Sequence, residues 1–201
     1  DEVMALFPSK YIHIGGDEAP KYRWENCKKC KSRMHAEELS DSHELQSYFI
    51  KRIEQYLNSK GRQIIGWDEI LEGGLAPSAT VQSWRGMEGG IAAAKSGHYA
   101  IMSPTSHAYF DYDLDAIDLQ QVYSFEPIPS VLNEQESQFI LGGECNMWSE
   151  RAPQELVDSK VFPRLLAMSE VLWSAAPKDY PNFYQKVQQH YRQLDAMGVQ
   201  Y

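Results

Sequence analysis

Five short apolar runs, spaced by amphipathic helical patterns, constrain this 201-residue chain more than any other feature. Tyr11-Ile12-His13-Ile14, closed by Gly15-Gly16, reads as a buried strand, and Gln63-Ile64-Ile65-Gly66-Trp67 as a second. Between them Leu45, Tyr48, Phe49, Ile53, Tyr56 and Leu57 recur at helical spacing, with Asp41 and Glu44 as a capping box and Gly61 as a stop. Residues 80–84, 99–102 and 139–143 supply three further strands. Helical patterns follow the third strand (Met87 to Lys95) and the fifth, where Pro153 suits a first turn and Leu165, Leu166, Val171 and Leu172 continue an apolar face. A last amphipathic segment carries Phe183, Val187, Tyr191 and Leu194. Adjacent parallel strands need a crossover of roughly a dozen residues or more, so strand, helix, strand, repeated, predicts a parallel α/β sheet.

Composition narrows the partners. With 43% apolar and 23% charged residues the chain has material for one hydrophobic core. A formal net charge of -9 and no Lys/Arg-dense face argue against nucleic acid. No apolar run approaches the roughly 20 residues that cross a bilayer, so no membrane span is expected, and no stretch has the order of a signal peptide. Three cysteines, Cys27, Cys30 and Cys145, are too few and too odd in number for a disulfide scaffold. The connection from Ser103 to Gln138 carries Pro104, Pro127 and Pro129 around an acidic centre, and connections of that length are usually functional. No linker, low-complexity tract or repeat interrupts the chain, which reads as a single domain.

The strand ends share a composition. Asp17-Glu18 follows the first strand, Trp67-Asp68-Glu69 the second and Trp84-Arg85 the third; Tyr109-Phe110-Asp111 lies after the fourth and Trp148-Ser149-Glu150 after the fifth. In parallel α/β folds the loops at the carboxyl ends of the strands converge on ligands. A sugar ring offers apolar C–H faces to Trp or Tyr and a rim of hydroxyls to carboxylates. Extended backbone would turn Tyr109 with Asp111, and Trp148 with Glu150, to common sides, while the adjacent Asp17 and Glu18 diverge. Divergent carboxylates can address a leaving-group oxygen and a neighbouring substituent of one substrate, which is the requirement of glycoside cleavage.

His13-Ile14-Gly15-Gly16-Asp17-Glu18 resembles the signature of glycoside hydrolase family 20, the β-N-acetylhexosaminidases, and the resemblance runs from about Tyr11 through Trp173. Gly66-Trp67-Asp68-Glu69, Gln82-Ser83-Trp84, Tyr109-Phe110-Asp111-Tyr112, Tyr123-Ser124-Phe125-Glu126-Pro127 and Trp148-Ser149-Glu150 follow in order. The resemblance implies a (β/α)8 TIM barrel and retaining exo-hydrolysis of terminal β-linked N-acetylglucosamine or N-acetylgalactosamine, in which the substrate's 2-acetamido oxygen attacks the anomeric carbon. It implies Glu18 as general acid and then base, held protonated by apolar or anionic surroundings. Asp17 would orient the acetamido N–H, and Tyr109 would donate to the acetamido oxygen. Trp67, Trp84 and Trp148 would wall the acetamido pocket and the sugar face, and Asp111 and Glu150 would hold the outer hydroxyls. The implied partner is an N-acetylhexosamine-containing glycan, no cofactor is implied, and the substrate class suggests a periplasmic, extracellular or lysosomal address. The alternative is a catalytically incomplete, carbohydrate-binding remnant of the same fold.

Blander readings stand beside these. Trp24 and Trp173 suit a core or an interface, and His13, within an apolar run, suits a hydrogen-bonded core or supporting role. Cys27-x-x-Cys30 with His35 and His43 has irregular spacing for zinc, and a surface loop with two thiols is preferred. Asp111-x-Asp113-x-Asp115 imitates a calcium loop, but Ala116 stands where Gly is required and Val122 where Glu is, so no metal is expected. A barrel of this type takes about 250 residues for eight units. Five strands then correspond to the fourth to eighth, the C-terminal portion, and the two open sheet edges predict association with another copy or with a missing N-terminal half.

Overall fold

All five apolar runs form strands in the computed structural model, which describes all 201 residues. In chain order the elements are α1 (Glu2–Leu6), β1 (Tyr11–His13), α2 (Tyr22–Asn26), α3 (Lys28–Ala36), α4 (Ser42–Ser59), β2 (Gln63–Trp67), β3 (Thr80–Ser83), α5 (Glu88–Lys95) and β4 (Ala100–Met102). They continue with α6 (Thr105–Ala108), α7 (Leu119–Ser124), α8 (Glu134–Ser137), β5 (Ile140–Gly143), α9 (Val157–Val161), α10 (Arg164–Trp173) and α11 (Tyr180–Met197). The sheet order is β1-β2-β3-β4-β5. β1 and β2 are parallel with Ile12 opposite Ile64, and β2 and β3 are parallel with Gly66 opposite Val81. Strand order that follows chain order without reversal, with right-handed crossovers, keeps the helices on one face; a doubly wound sheet would reverse.

The chain divides into two compact units, Asp1–Ile101 with Val131–Leu141, and Met102–Ser130 with Gly142–Tyr201. The division falls in no linker: it cuts β4 after Ile101 and β5 after Leu141. The long connection after β4 is itself structured, with α6 and α7 in the second unit and α8 in the first.

In the first unit the sheet residues Ile64, Val81 and Ala100 are fully buried, and α4 contributes Leu45, Ile50 and Leu57. Each Leu, Ile or Val side chain so buried stabilises by about 1.5–3 kcal/mol relative to an exposed one. The predicted stripe on α4 is only partly the buried one, since Phe49 and Tyr56 are exposed while the polar Gln46, Ser47 and Glu54 are buried. The reason is backbone satisfaction: Gln46 Nε2 donates to Gly16 O at 2.6 Å, Ser47 Oγ to Gly74 O, and Glu54 Oε1 accepts from Ser78 N at 2.7 Å. These bonds fix the loops after β1 and β2. Asp41 caps α4 through His43 N and Glu44 N, but Glu44 reaches back to Ser40 N, one residue earlier than a capping box requires.

The core of the second unit gathers Phe110, Val122, Phe125, Met168 and Val187, with Tyr123 stacked on Phe183 at 4.5 Å. The single helix expected after Pro153 is broken into a 3-10 turn (Gln154–Leu156), α9 and α10. Pro163 ends α9, because the residue before proline is pushed to extended backbone, as Phe162 is at φ -99 and ψ 142. Trp173, expected in a core or interface, is 91% exposed.

Candidate active site

In the first unit the site begins where β1 ends. Gly15 (φ 70), Gly16 (φ 103) and Glu18 (φ 45) all lie in the left-handed region, which only glycine adopts without strain. A Cβ on Gly16 would stand 2.7 Å from Ile70 Cγ2, so the turn must pass here as glycine. It delivers Asp17 and Glu18 to the surface, both exposed. Glu18 is thus solvent-facing, with the Asp17 carboxylate as its adjacent anionic neighbour. Lys21 steadies the turn, its Nζ donating to Ala19 O at 2.7 Å and to Gln46.

Asp17, Trp67 and Trp84 are brought together through His13. Gly15 N donates to His13 Nδ1 at 3.1 Å, and the ring meets Trp67 edge-on at 4.9 Å. Desolvation of the ring by its neighbours lowers the His13 pKa, opposed by a hydrogen bond with Gln82 and by the Asp17 charge. His13 is exposed, so it is hydrogen-bonded as expected but no core residue. Trp67 packs edge-on against Trp84 at 6.5 Å.

Trp84 is held by carboxylates that the sequence presents only as strand-end acids. Asp68 Oδ2 accepts from Trp84 N at 3.0 Å and Arg85 N at 3.2 Å, while its Oδ1 pairs with Arg85 Nε at 2.5 Å. Glu69 Oε2 accepts from the Trp84 indole at 2.9 Å. Burial raises the Glu69 pKa against that bond. Arg85 extends the network to Glu72 at 3.0 Å, and Glu72 bonds His43 at 3.0 Å. Asp68 and Glu69 are buried and turned to the protein. Their place directly after Trp67 is the one signal of this role.

In the second unit Tyr109 forms a parallel bridge with Asn146, flanked by Phe110 N to Asn146 O at 2.8 Å and Asn146 N to Ala108 O at 2.7 Å. The Trp148 indole bonds the Tyr109 side chain. An indole only donates, so this bond uses a phenol lone pair and not the phenol proton. Burial pushes the Tyr109 pKa well above its ordinary value, which keeps the hydroxyl protonated. Asp111 is buried, with Oδ1 lacking a hydrogen-bond partner, and Asn146 Nδ2 is likewise unpartnered. Such orphaned buried atoms are rare and require an explanation. Turns at residues 110–111 and 149–150 break the extended backbone that would have aligned Tyr109 with Asp111 and Trp148 with Glu150. Trp148 and Glu150 are exposed.

The loop bearing Tyr109 and Asp111 is clamped by two cations that sequence reasoning missed. Arg164, 1% exposed, donates to Ile117 O at 2.8 Å, to Lys160 O at 2.9 Å and to Phe110 O, with its guanidinium 4.9 Å above the Phe110 ring. Burial lowers its pKa to about 10, against the opposing pull of the Asp111 charge. Lys160 Nζ donates to Asp111 O at 2.6 Å. Lys160 lies in the last turn of α9 and Arg164 opens α10, on either side of the break at Pro163, so no single-helix periodicity marks them as a pair. No three His, Cys, Asp or Glu side chains are grouped as a metal ligand set, and no helix is long and apolar enough to cross a membrane.

Comparison with known proteins follows this geometry. The model of the glycosyl hydrolase family 20 catalytic domain matches residues 1–176. A beta-hexosaminidase of Porphyromonas gingivalis is 46% identical over 215 residues, covering 100% of this chain and 28% of that protein. The beta-N-acetylhexosaminidase from Bacteroides fragilis superposes with a TM-score of 0.88 at 31% identity, over 99% of this chain and 43% of the other. An exo beta-N-acetylglucosaminidase from Vibrio harveyi, solved in complex with N-acetylglucosamine, gives 0.89 at 27% identity, over 98% and 34%. The chain therefore spans less than half the length of each of these relatives.

Proposed function

The chain belongs to glycosyl hydrolase family 20, and from that membership we propose that it carries the acid–base and acetamido-binding groups of a retaining exo-hydrolase acting on terminal β-linked N-acetylglucosamine or N-acetylgalactosamine. Its five strands take the fourth to eighth positions of the TIM barrel, and turnover belongs to the protein with all eight. The relatives' names and the N-acetylglucosamine bound in one of them support the substrate class.

The observation that carries the reading is the turn after β1. A strained, glycine-lined backbone presents two adjacent exposed carboxylates beside an aromatic pair, and strain of this kind collects at functional sites. Glu18 protonates the glycosidic oxygen as the acetamido oxygen attacks the anomeric carbon from the opposite face. Glu18, now a carboxylate, then takes a proton from the water that opens the oxazolinium intermediate. Asp17 accepts from the acetamido N–H and stabilises the positive charge that spreads onto it. Tyr109 keeps its proton through burial and donates it as a hydrogen bond to the acetamido oxygen. In the first unit Trp67 and Trp84 offer the sugar an aromatic face; in the second Trp148 offers another, and Asp111 and Glu150 accept from the outer hydroxyls.

Glu18→Gln in the full-length protein tests this. Turnover of glycans with poor leaving groups should fall by orders of magnitude more than turnover of activated aryl N-acetylglucosaminides, which need little protonation. Equal losses on both would remove Glu18 as the acid. Tight binding of a thiazoline analogue without any turnover would leave the carbohydrate-binding remnant instead.

A further inference from the structure

Cys27 occupies the joint between two helices. As the C-cap of α2 its N–H donates to Trp24 O at 3.2 Å, and as the N-cap of α3 its backbone is extended at φ -88 and ψ 121. Cys30 is the third residue of α3. An N-cap side chain is directed at the N2 and N3 positions of its own helix, so the fold brings the Cys27 sulfur toward Cys30. Both thiols are reduced and half-exposed, and Lys28, Lys29 and Lys31 beside them are exposed. Partly exposed thiols in basic surroundings at a helix N-terminus are the reactive kind.

We propose that Cys27 and Cys30 are a redox-active dithiol, closed reversibly to an intramolecular disulfide, with Cys27 as the attacking thiolate and Cys30 as the resolving thiol. Position assigns these roles: Cys27 stands at the N-cap, where the helix N-terminus favours a thiolate, and Cys30 lies inside the first turn. The Cys30 amide, then its thiol, hold Cys27 below the ordinary thiol range, and Lys29 adds to the effect. The amide acts without closing a capping hydrogen bond. Cys30 is pushed upward, first by its bond to Cys27. Cys145 is the internal contrast, a thiol raised by burial and by the neighbouring Glu144.

The oxidant is a small disulfide such as glutathione disulfide. The Cys27 thiolate attacks one of its sulfurs, the S–S bond breaks, and the first glutathione leaves as thiolate. Cys30 then loses its proton and attacks the Cys27 sulfur of the mixed disulfide, releasing the second glutathione. Two electrons pass from the protein dithiol to glutathione disulfide, and the two protein protons end on the two glutathione thiols. The new bond spans the α2–α3 joint.

The test equilibrates the native full chain in glutathione redox buffers, quenches with acid, alkylates and maps the peptides by mass spectrometry. The expected product under oxidising conditions is one Cys27–Cys30 cross-link, with Cys145 still alkylated. In reduced protein near neutral pH, Cys27 should react with iodoacetamide at least about tenfold faster than Cys145. Cys30→Ser, checked for folding by circular dichroism, should accumulate the glutathione mixed disulfide at Cys27, and Cys27→Ser should react far more slowly. Cys27 labelling no faster than Cys145, or oxidation that yields only separate mixed disulfides, would overturn the proposal. No sugar turnover enters the readout, so the outcome is independent of the hydrolase reading.

Discussion

The two units hold their aromatic residues with opposite charges. In the first, Asp68 and Glu69 accept from the Trp84 and Arg85 amides and from the Trp84 indole. In the second, Lys160 and Arg164 donate to the carbonyls of Phe110, Asp111 and Ile117. The difference follows from which backbone groups each loop leaves unpaired. The turn after β3 exposes amides and needs acceptors, whereas the loop after β4 exposes carbonyls and needs donors. A carboxylate is short and is supplied from the neighbouring strand end. A cation must reach from a helix, and the long stems of Lys160 and Arg164 do so.

Arg164→Ala is the strongest way to break this comparison, because it strands several buried carbonyls at once. It should cost about 3–5 kcal/mol in urea unfolding, and Arg164→Lys should recover only part, since an ammonium cannot reproduce the guanidinium fork. Asp68→Ala should come next, at about 2–3 kcal/mol, by freeing two amides and the Arg85 partner. If it exceeds the Arg164 loss, the helix-borne cations are not the dominant clamp. Lys160→Met keeps the stem and removes one close donor, for about 1–2 kcal/mol.

The smallest effect is a pH dependence confined to the first unit. Folding depresses the His13 pKa, mainly by desolvation of the ring. Protonation therefore favours the unfolded chain. This contribution to stability is whole above the unfolded value of 6.5 and is lost as pH falls below it toward the lower folded value. Melting temperatures of wild type and His13→Gln should diverge least below that window and most above it if the neutral ring is what stabilises, and a constant difference from pH 5 to pH 8 would remove His13 from the acid-side loss.

Much of the fold was legible because strand and helix periods are local. The runs at Tyr11, Gln63, Thr80, Tyr99 and Phe139 all became strands within a residue, and Asp41 and Gly61 bounded α4 as read. The break at Pro163 is legible too, from proline chemistry, although the apolar face runs on past it. On α4, Phe49 and Tyr56 misled, because periodicity cannot say which face must also satisfy the carbonyls of Gly16 and Gly74. At the candidate site, Asp17, Glu18, Trp67, Trp84, Tyr109 and Trp148 are legible by residue type at strand ends. Gln46, Asn146, Lys160 and Arg164 did not, since each has the composition of an ordinary polar position.

By itself the sequence determined the alternation of strands and helices and the glycine-lined turn that carries Asp17 and Glu18. Those depend on steric rules that act within a few residues. Only the tertiary structure decided that Asp68 and Glu69 turn inward while Asp17 and Glu18 face solvent, and that Arg164 is buried. A charge is buried where distant backbone groups complete its hydrogen bonds, and the carbonyls that complete those of Arg164 lie 47 and 54 residues away.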